Sequence, residues 1–451
     1  MAPSESAAET PTQVLPRGPG VLRFAVAGFC NALSTGFFYP FSLLFYVSLS
    51  GEELRTVGTV LTVTALAALP SLLLVGRIVD RVGPRPVLIA SLVVRAGCFV
   101  SFVTFGGAAA LAVGTLALAV STRAEQTATP LVALQLAPEG QSSRWLALSR
   151  VVFNAGMGVG ALIAGIFIVD SASGFALLGI ANAVGVLCTA ALYAVVPRTP
   201  RPAPSAGRVQ TRARPWRDHR FLLIAVVNAL LLVSALAVES GMPVYVLQEL
   251  AMPTWTVGML FAVNTGVLTV LQLPVSRVLD RHPPVRVLAF GGLTYLSLYA
   301  ALLSAARTDG IARMLLLVLG MVVYTLGELA VTQAALVLLT GLPPDSRKGA
   351  YLGFNQIFVG ASTAVAPLLV TYSLAGSPPV LWWSLAGVSV VSTAVLLGTE
   401  RRFGRGAPGA VPGAPPKPCG TAPPAPSSRS RHAPPRPRDR PGAGGSGGVR
   451  R

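Results

Sequence analysis

A chain of 451 residues that is 53% hydrophobic and only 12% charged has too little polar surface to cover a water-soluble fold of its length, so lipid must solvate much of it. Its formal charge of +18 would suit a nucleic-acid binder, yet the arginines avoid the apolar runs and gather in a few loops and the C-terminal stretch. Membrane topology explains that clustering, and no nucleic-acid partner is expected. Cys30, Cys98 and Cys188 lie inside apolar runs and Cys419 near the C-terminus, which gives neither a disulfide framework nor metal-ligand spacing, so no metal site is expected.

Residues 1–20 are rich in Ala, Pro, Ser and Glu and lack the apolar core of a cleaved signal, which predicts a polar tail, with targeting left to the first spanning helix. Apolar runs long enough to cross about 30 Å of hydrocarbon at about 1.5 Å per residue follow near residues 22–48, 56–78, 86–106, 108–134, 145–169 and 174–197. Residues 198–220 carry Arg201, Arg208, Arg212, Arg214 and Arg217 among Pro, Ala and Ser and read as a flexible basic linker. A second series lies near 221–246, 256–278, 286–306, 312–338, 349–374 and 379–398. The composition therefore predicts an all-α membrane protein of two six-helix halves, 21–197 and 221–400. A tail over 401–451, rich in Pro, Gly, Ser and Arg, is too poor in large apolar residues to fold. Almost every basic residue is arginine, with lysine only at Lys348 and Lys417, a bias that fits a GC-rich bacterium.

Alternate loops differ sharply in charge. One set holds Arg77, Arg81 and Arg85, then Arg144, the central linker, Arg281 and Arg286, Arg347 and Lys348, and Arg401 and Arg402. The other holds little beyond Glu52, Glu53, Arg55, Asp170, Glu249, Arg307 and Asp309. Because Arg and Lys collect on the cytoplasmic side, both termini are expected there, in a bacterial cytoplasmic membrane, which requires an even number of spans.

The segment from Gly76 to Leu88, Gly-Arg-Ile-Val-Asp-Arg-Val-Gly-Pro-Arg-Pro-Val-Leu, has a counterpart from Ser276 to Leu288, and each follows the second helix of its series. Such duplication marks transporter folds built from parallel halves. On their own chemistry, Gly76 allows close approach of a helix end, Gly83 supplies a tight turn, and Asp80 places a carboxylate at a helix terminus. The first copy resembles the G-x-x-x-D-R-x-G-R-R/K loop of the major facilitator superfamily, with Pro84 in place of one basic residue; the second copy is degraded. The resemblance spans about residues 20–400 and implies a bundle of 12 transmembrane helices. It further implies that Asp80 faces the start of the eleventh helix, near Gly349 to Gly353, while Arg81 and Arg85 hold a network that closes the cytoplasmic side.

Ionisable groups inside a bilayer are costly and normally face the bundle interior or a water-filled path. Arg123 and Glu125 fall in the fourth span, Glu239 in the seventh and Glu328 in the tenth, which are central in the resembled fold. Arg95 falls in the third, usually a more peripheral one. Arg123 with Gln126 resembles the R-x-x-Q core of a fourth-helix signature of drug:proton antiporters, though Thr127 stands where that pattern has glycine. At i, i+3 spacing the two share a face, whereas Glu125 points roughly away, so Arg123 and Glu125 each need a partner from another helix. An interhelical salt bridge would account for them as well as a transport role.

A proton-coupled carrier needs a carboxylate that changes charge state between wet and dry surroundings. Glu239, near Gly241 and Pro243 where the helix is expected to break, and Glu328, in a Gly-Glu pair like that of multidrug members, are the other candidates; a helix-end position for the first and a structural hydrogen bond for the second are the simpler readings. In the fifth span, Arg150, Asn154, Gly156 and Gly160 resemble an antiporter signature that here lacks its Gly-Pro, and small residues at that spacing permit close packing. Asn355 and Pro367 form the counterpart in the eleventh span, with a proline kink suited to a gate. Asn31, Phe38, Tyr39, Asn264 and Gln272 are candidates for lining an amphipathic cavity, although aromatic residues at helical spacing are more often packing.

No phosphate loop, nucleophile triad or nucleotide fingerprint is present, so neither an enzyme nor a cofactor is expected, only a proton gradient. The reading is a secondary transporter that exports hydrophobic or amphipathic small molecules, with the lipid bilayer and the small-molecule substrate as partners and a monomer as the sufficient unit. An importer or uniporter of a metabolite such as a sugar or amino acid remains open. A non-transporting sensor is more remote, since no folded soluble domain is visible.

Overall fold

The computed structural model describes residues 20–138, 141–167, 172–196, 215–279, 281–343 and 348–403. The expected tails, most of the linker and Asp280 of the second repeat lie outside the described residues. Those described are helical, with no strand among them. The first half comprises α1 (Val21–Phe38), α2 (Ser42–Ser50), α3 (Leu54–Ala67), α4 (Ser71–Val82), α5 (Pro84–Thr104), α6 (Ala108–Leu136), α7 (Ser142–Phe167) and α8 (Ala172–Ala194). The second comprises α9 (His219–Val244), α10 (Thr254–Leu279), α11 (Pro284–Ala305), α12 (Gly310–Gly341), α13 (Lys348–Gly376) and α14 (Pro378–Phe403).

Eleven described segments are long and apolar enough to cross a membrane, the first of them joining α1 to α2 and the sixth carrying α9 on to Glu249. The twelfth span is α3 with α4, which the sequence predicted as one run. Pro70, lacking an N–H, interrupts it, and the chain passes through a turn in which Leu69 N–H donates to the Leu66 carbonyl at 3.0 Å. Pro40 marks a similar irregularity between α1 and α2. The break expected at Gly241 and Pro243 is not there: α9 continues through both and passes into a wider five-residue turn, Tyr245–Glu249. Large apolar side chains such as Ile311, Leu315 and Leu319 form an outward stripe at 79%, 63% and 64% exposure, a surface suited to lipid and not to water.

Local chemistry fixes the helix ends. Asp218 caps α9, its carboxylate accepting from the backbone N–H of Arg220 and Phe221 at 3.2 and 3.1 Å. Pro84, Pro284 and Pro378 open α5, α11 and α14, where a missing N–H costs nothing. Between α4 and α5, Gly83 turns the chain at φ 93°, a conformation that a side chain would strain. Short connections make successive spans antiparallel, so the arginine-rich loops share one end of the bundle, the basic end, and Glu52, Glu53 and Asp309 share the other, the bare end. Cross-span bonds agree: Arg23 at the start of α1 donates to the Val195 carbonyl just past α8, and Gly107 N–H donates to the Ser50 carbonyl.

The halves meet mainly along two seams, α7 on α10 and α3 on α13, with α2 and the turn around Pro40 also against α9. Toward the bare end both are closed. Thr62 donates to the Ala364 carbonyl at 2.8 Å, Arg55 lies 5.8 Å from the Tyr372 ring centroid, and a side chain added at Gly165 would meet Gly258 Cα at 2.9 Å. Toward the basic end, side chains added at Gly76 on α4 or Gly353 on α13 would meet nothing within 4 Å.

Candidate functional site

Two groups of polar side chains occupy the bundle interior, one in each half. In the first, Glu125 on α6 accepts from Asn31 Nδ2 on α1 at 2.6 Å and pairs with Arg95 on α5 at 3.1 Å. The Arg95 guanidinium also donates to Thr35 Oγ1 at 2.9 Å and to Asn31 Oδ1 at 3.4 Å. Three helices are thereby tied around one carboxylate. Arg95 is buried, at 6% exposure; its helix packs on α6 and α8 of its own half, and the side chain points inward because only an acid on a neighbouring span can compensate its charge. The missed signal was a lone arginine in an apolar span with no acid beside it.

Arg123, as expected, does not pair with Glu125. It is half-buried and donates to the Ala65 carbonyl on α3 at 3.4 Å, while Gln126 is exposed. Phe38, a cavity candidate, is instead core: it is buried with Phe45, Tyr46 and Phe99, its ring centroid 4.8 Å from that of Phe99 in an edge-on contact. Asn31 is likewise enclosed by its ionic partners.

In the second half, Asn264 on α10 donates to Glu328 Oε2 on α12 at 2.9 Å and to Thr325 Oγ1 at 3.0 Å. Glu239 on α9 is half-buried within the bundle and not at a helix end; its Oε2 accepts from the Tyr39 hydroxyl at 3.0 Å, a bond from one half of the molecule to the other. Tyr295 on α11 and Tyr324 on α12, two buried side chains that the sequence did not single out, stand with ring centroids 4.7 Å apart in the same half. Among the described residues, neither Glu239 nor Glu328 has a cation within ion-pair distance.

Glu328 also lines a cavity of about 370 Å³ at the α7–α10 seam. Arg150, Phe153 and Asn154 come from α7, Leu268 and Gln272 from α10, and Leu329, Thr332 and Gln333 from α12. Four sequence candidates, Arg150, Asn154, Gln272 and Glu328, thus converge from three helices and both halves. Gly156 and Gly160 lie away from it, on the face of α7 that packs on α1; a side chain at Gly156 would meet Ala32 Cβ at 2.6 Å. Asn355 is buried in α13 with its Oδ1 lacking a partner among the described residues, and Pro367 sits inside the same helix, which runs on to Gly376.

No polar contact of Asp80 with α13 is seen among the described residues. Asp80 is exposed and makes no hydrogen bond or ion pair among the described residues, Arg81 is exposed, and Gly76 approaches no neighbour. Arg85 turns back to the carbonyls of Tyr193 and Ala194 at the end of α8, within its own half, where a cation suits the helix C-terminus. α4 and α13 do not pack closely on one another, and Gly76 and Gly353 both face open space.

The family model of the Major Facilitator Superfamily matches residues 24–323 and 255–437, which together span most of the chain. The chain belongs to the Major Facilitator Superfamily. It is therefore a multi-pass membrane transporter that takes a small molecule as its substrate, and not an enzyme. This facilitator is 24% identical over 370 residues to the multidrug resistance protein MdtH of Aeromonas hydrophila subsp. hydrophila, a match covering 80% of this chain and 91% of that one. Its fold is similar to that of the nucleoside transporter NupG, in a mutant form (TM-score 0.70, 13% identity, 84% of this chain and 98% of that one). It also resembles the peptide transporter POT in complex with sulfate (TM-score 0.69, 15% identity, 87% and 97%). A bacterial homologue of the iron transporter ferroportin, in an inward-facing state, is similar as well (TM-score 0.66, 13% identity, 84% and 97%).

Proposed function

We propose that this facilitator exports hydrophobic or amphipathic small molecules from a bacterial cytoplasm in exchange for protons, its basic end and both termini facing inward. The observation that carries the reading is the cavity at the α7–α10 seam: Phe153, Leu268 and Leu329 supply apolar wall from both halves beside a carboxylate, Glu328, that has no cation within ion-pair distance among the described residues. A carboxylate in such a place needs a proton or a cationic part of the cargo to compensate its charge, and competition between the two is the simplest form of exchange. The similarity to a multidrug resistance protein supports the direction of transport. Arginine clustering at one end supports the orientation.

In this mechanism cargo enters at the basic end, where the halves stand apart, and reaches groups on both of them. A change of charge at Glu239 alters its bond with Tyr39, the mid-bundle tie between halves, and so biases the rocking that closes one end and opens the other. Asp80, Arg81 and Arg85 serve the closed state of the basic end. Arg123 and Gln126 are placed along the fourth span, and Pro367 on the seam-forming α13.

The test is transport in everted membrane vesicles with and without an imposed pH gradient, using a fluorescent lipophilic dye. Uptake into the vesicles that rises with the gradient and disappears in Glu328→Gln is expected. Movement indifferent to the gradient removes the coupling, and accumulation of a labelled nutrient by intact cells, without protection from any toxic compound, favours the importer.

A further inference from the structure

We propose that the cargo held at the α7–α10 seam is a zwitterionic amphiphile, its anionic group on the Arg150 guanidinium and its ammonium on the open carboxylate oxygen of Glu328. This rests on the reading of the cavity as the cargo site and names the chemical class it selects. The two charges line one cavity from different halves, Arg150 from α7 of the first and Glu328 from α12 of the second. They form no ion pair with each other, and Arg150 has no hydrogen-bond or ionic partner among the described residues. Arg150 is exposed and stands roughly 12 Å along α7 from Ser142, on the stretch of the helix that lines the cavity. Glu328 spends only Oε2 on Asn264; Oε1 is unengaged among the described residues.

Phe153 and Leu268 with Leu329 supply apolar wall between the charged groups, and about 370 Å³ falls within the range of small-molecule sites. A purely apolar guest would displace solvent from both charges without replacing it, and a simple cation would do so at the guanidinium. A zwitterion compensates both. It also bridges the two halves, which gives it a reason to favour the state in which they draw together at the basic end, since a ligand shifts a conformational equilibrium only through its differential affinity.

The experiment is equilibrium binding to the full chain in lipid nanodiscs, at a pH where both termini of the probe are charged. The probe is the dipeptide phenylalanyl-phenylalanine, compared with its methyl ester, which keeps only the positive charge, and its N-acetyl form, which keeps only the negative one. The dipeptide is expected to bind about tenfold more tightly than either relative. Arg150→Gln should erase its advantage over the ester, and Glu328→Gln its advantage over the N-acetyl compound. Each variant should still bind the relative whose charge it can read, which shows that it is folded.

Equal binding of the dipeptide and either relative by the parent, or binding of none of the three, overturns the proposal. So does a variant that keeps the full discrimination. Gradient-driven dye transport in vesicles from a protein that fails this test would leave export standing while removing the zwitterion. Charge-selective binding without outward movement would do the reverse.

Discussion

The two halves of this transporter each bury acidic side chains and compensate them differently. In the first half Glu125 is enclosed by a guanidinium and an amide from two other helices, and Arg95 in turn is shared with Thr35, so both charges of this cluster have fixed partners. In the second half Glu239 and Glu328 receive one neutral donor each, Tyr39 and Asn264, and have no cation at ion-pair distance among the described residues. Buried charge must be compensated somewhere. Where the protein supplies the counter-charge, the cluster holds helices together; where it does not, compensation is left to something that comes and goes. The asymmetry separates a clamp from a working site, in halves that share one repeat.

The largest expected effect breaks the clamp. Arg95→Met leaves Glu125 buried without its cation and should cost about 3–5 kcal/mol, read as a lower midpoint of thermal unfolding in detergent. The double variant Arg95→Met with Glu125→Leu should recover most of that loss, because removing both charges of a buried pair is far milder than removing one. A double variant that is stable yet has lost gradient-driven transport would move the first-half cluster into the working machinery and abolish the contrast.

Glu328→Gln should show the opposite profile. Glutamine can still accept from Asn264, so the melting midpoint should barely move, while gradient-driven flux falls by about a hundredfold, the scale of losing a proton-transferring group. A large drop in stability with flux per folded molecule intact would make this carboxylate structural.

A smaller effect sharpens the link between halves. Tyr39→Phe removes one hydrogen bond to Glu239 and should shift the balance between access states by about 1 kcal/mol. Accessibility of a cysteine placed at the basic end, measured in this variant, in Glu239→Gln and in the two combined, should show strong non-additivity. Independent effects would mean that the bond carries no coupling.

The smallest expected change in stability is at Asp80, whose exposed carboxylate has no polar partner among the described residues in this conformation: Asp80→Asn should alter stability by less than about 0.5 kcal/mol, read as a nearly unchanged unfolding midpoint. Its effect should appear instead in the population of the state closed at the basic end. An unchanged cysteine-accessibility profile would remove the loop from the gate.

Helix number and placement were legible because lipid penalises polar backbone and side chains span by span, a local rule that apolar runs report directly. The predicted runs 86–106 and 286–306 lie within about two residues of α5 and α11. Even the fourth span's inability to pair Arg123 with Glu125 followed from helical spacing alone. The family, too, could be read from a short loop, since Gly83, with its positive φ, and the charges around it form a pattern that depends on neighbours in sequence.

What tertiary structure decided was the partner of each buried group and the state of the gate. Arg95 and Glu125 lie in different spans, and their meeting depends on how two helices are rotated about their axes, to which hydropathy is blind. Phe38 and Tyr39 are adjacent in sequence, yet one joins the aromatic core and the other crosses to Glu239, because α1 gives way at that point to an irregular turn around Pro40. Asp80 carries the same chemistry in any state, but whether it has a partner depends on how far apart two rigid halves stand. A span's identity is set by its own residues and by lipid; a site's identity is set by several spans at once, and only their packing brings its members together.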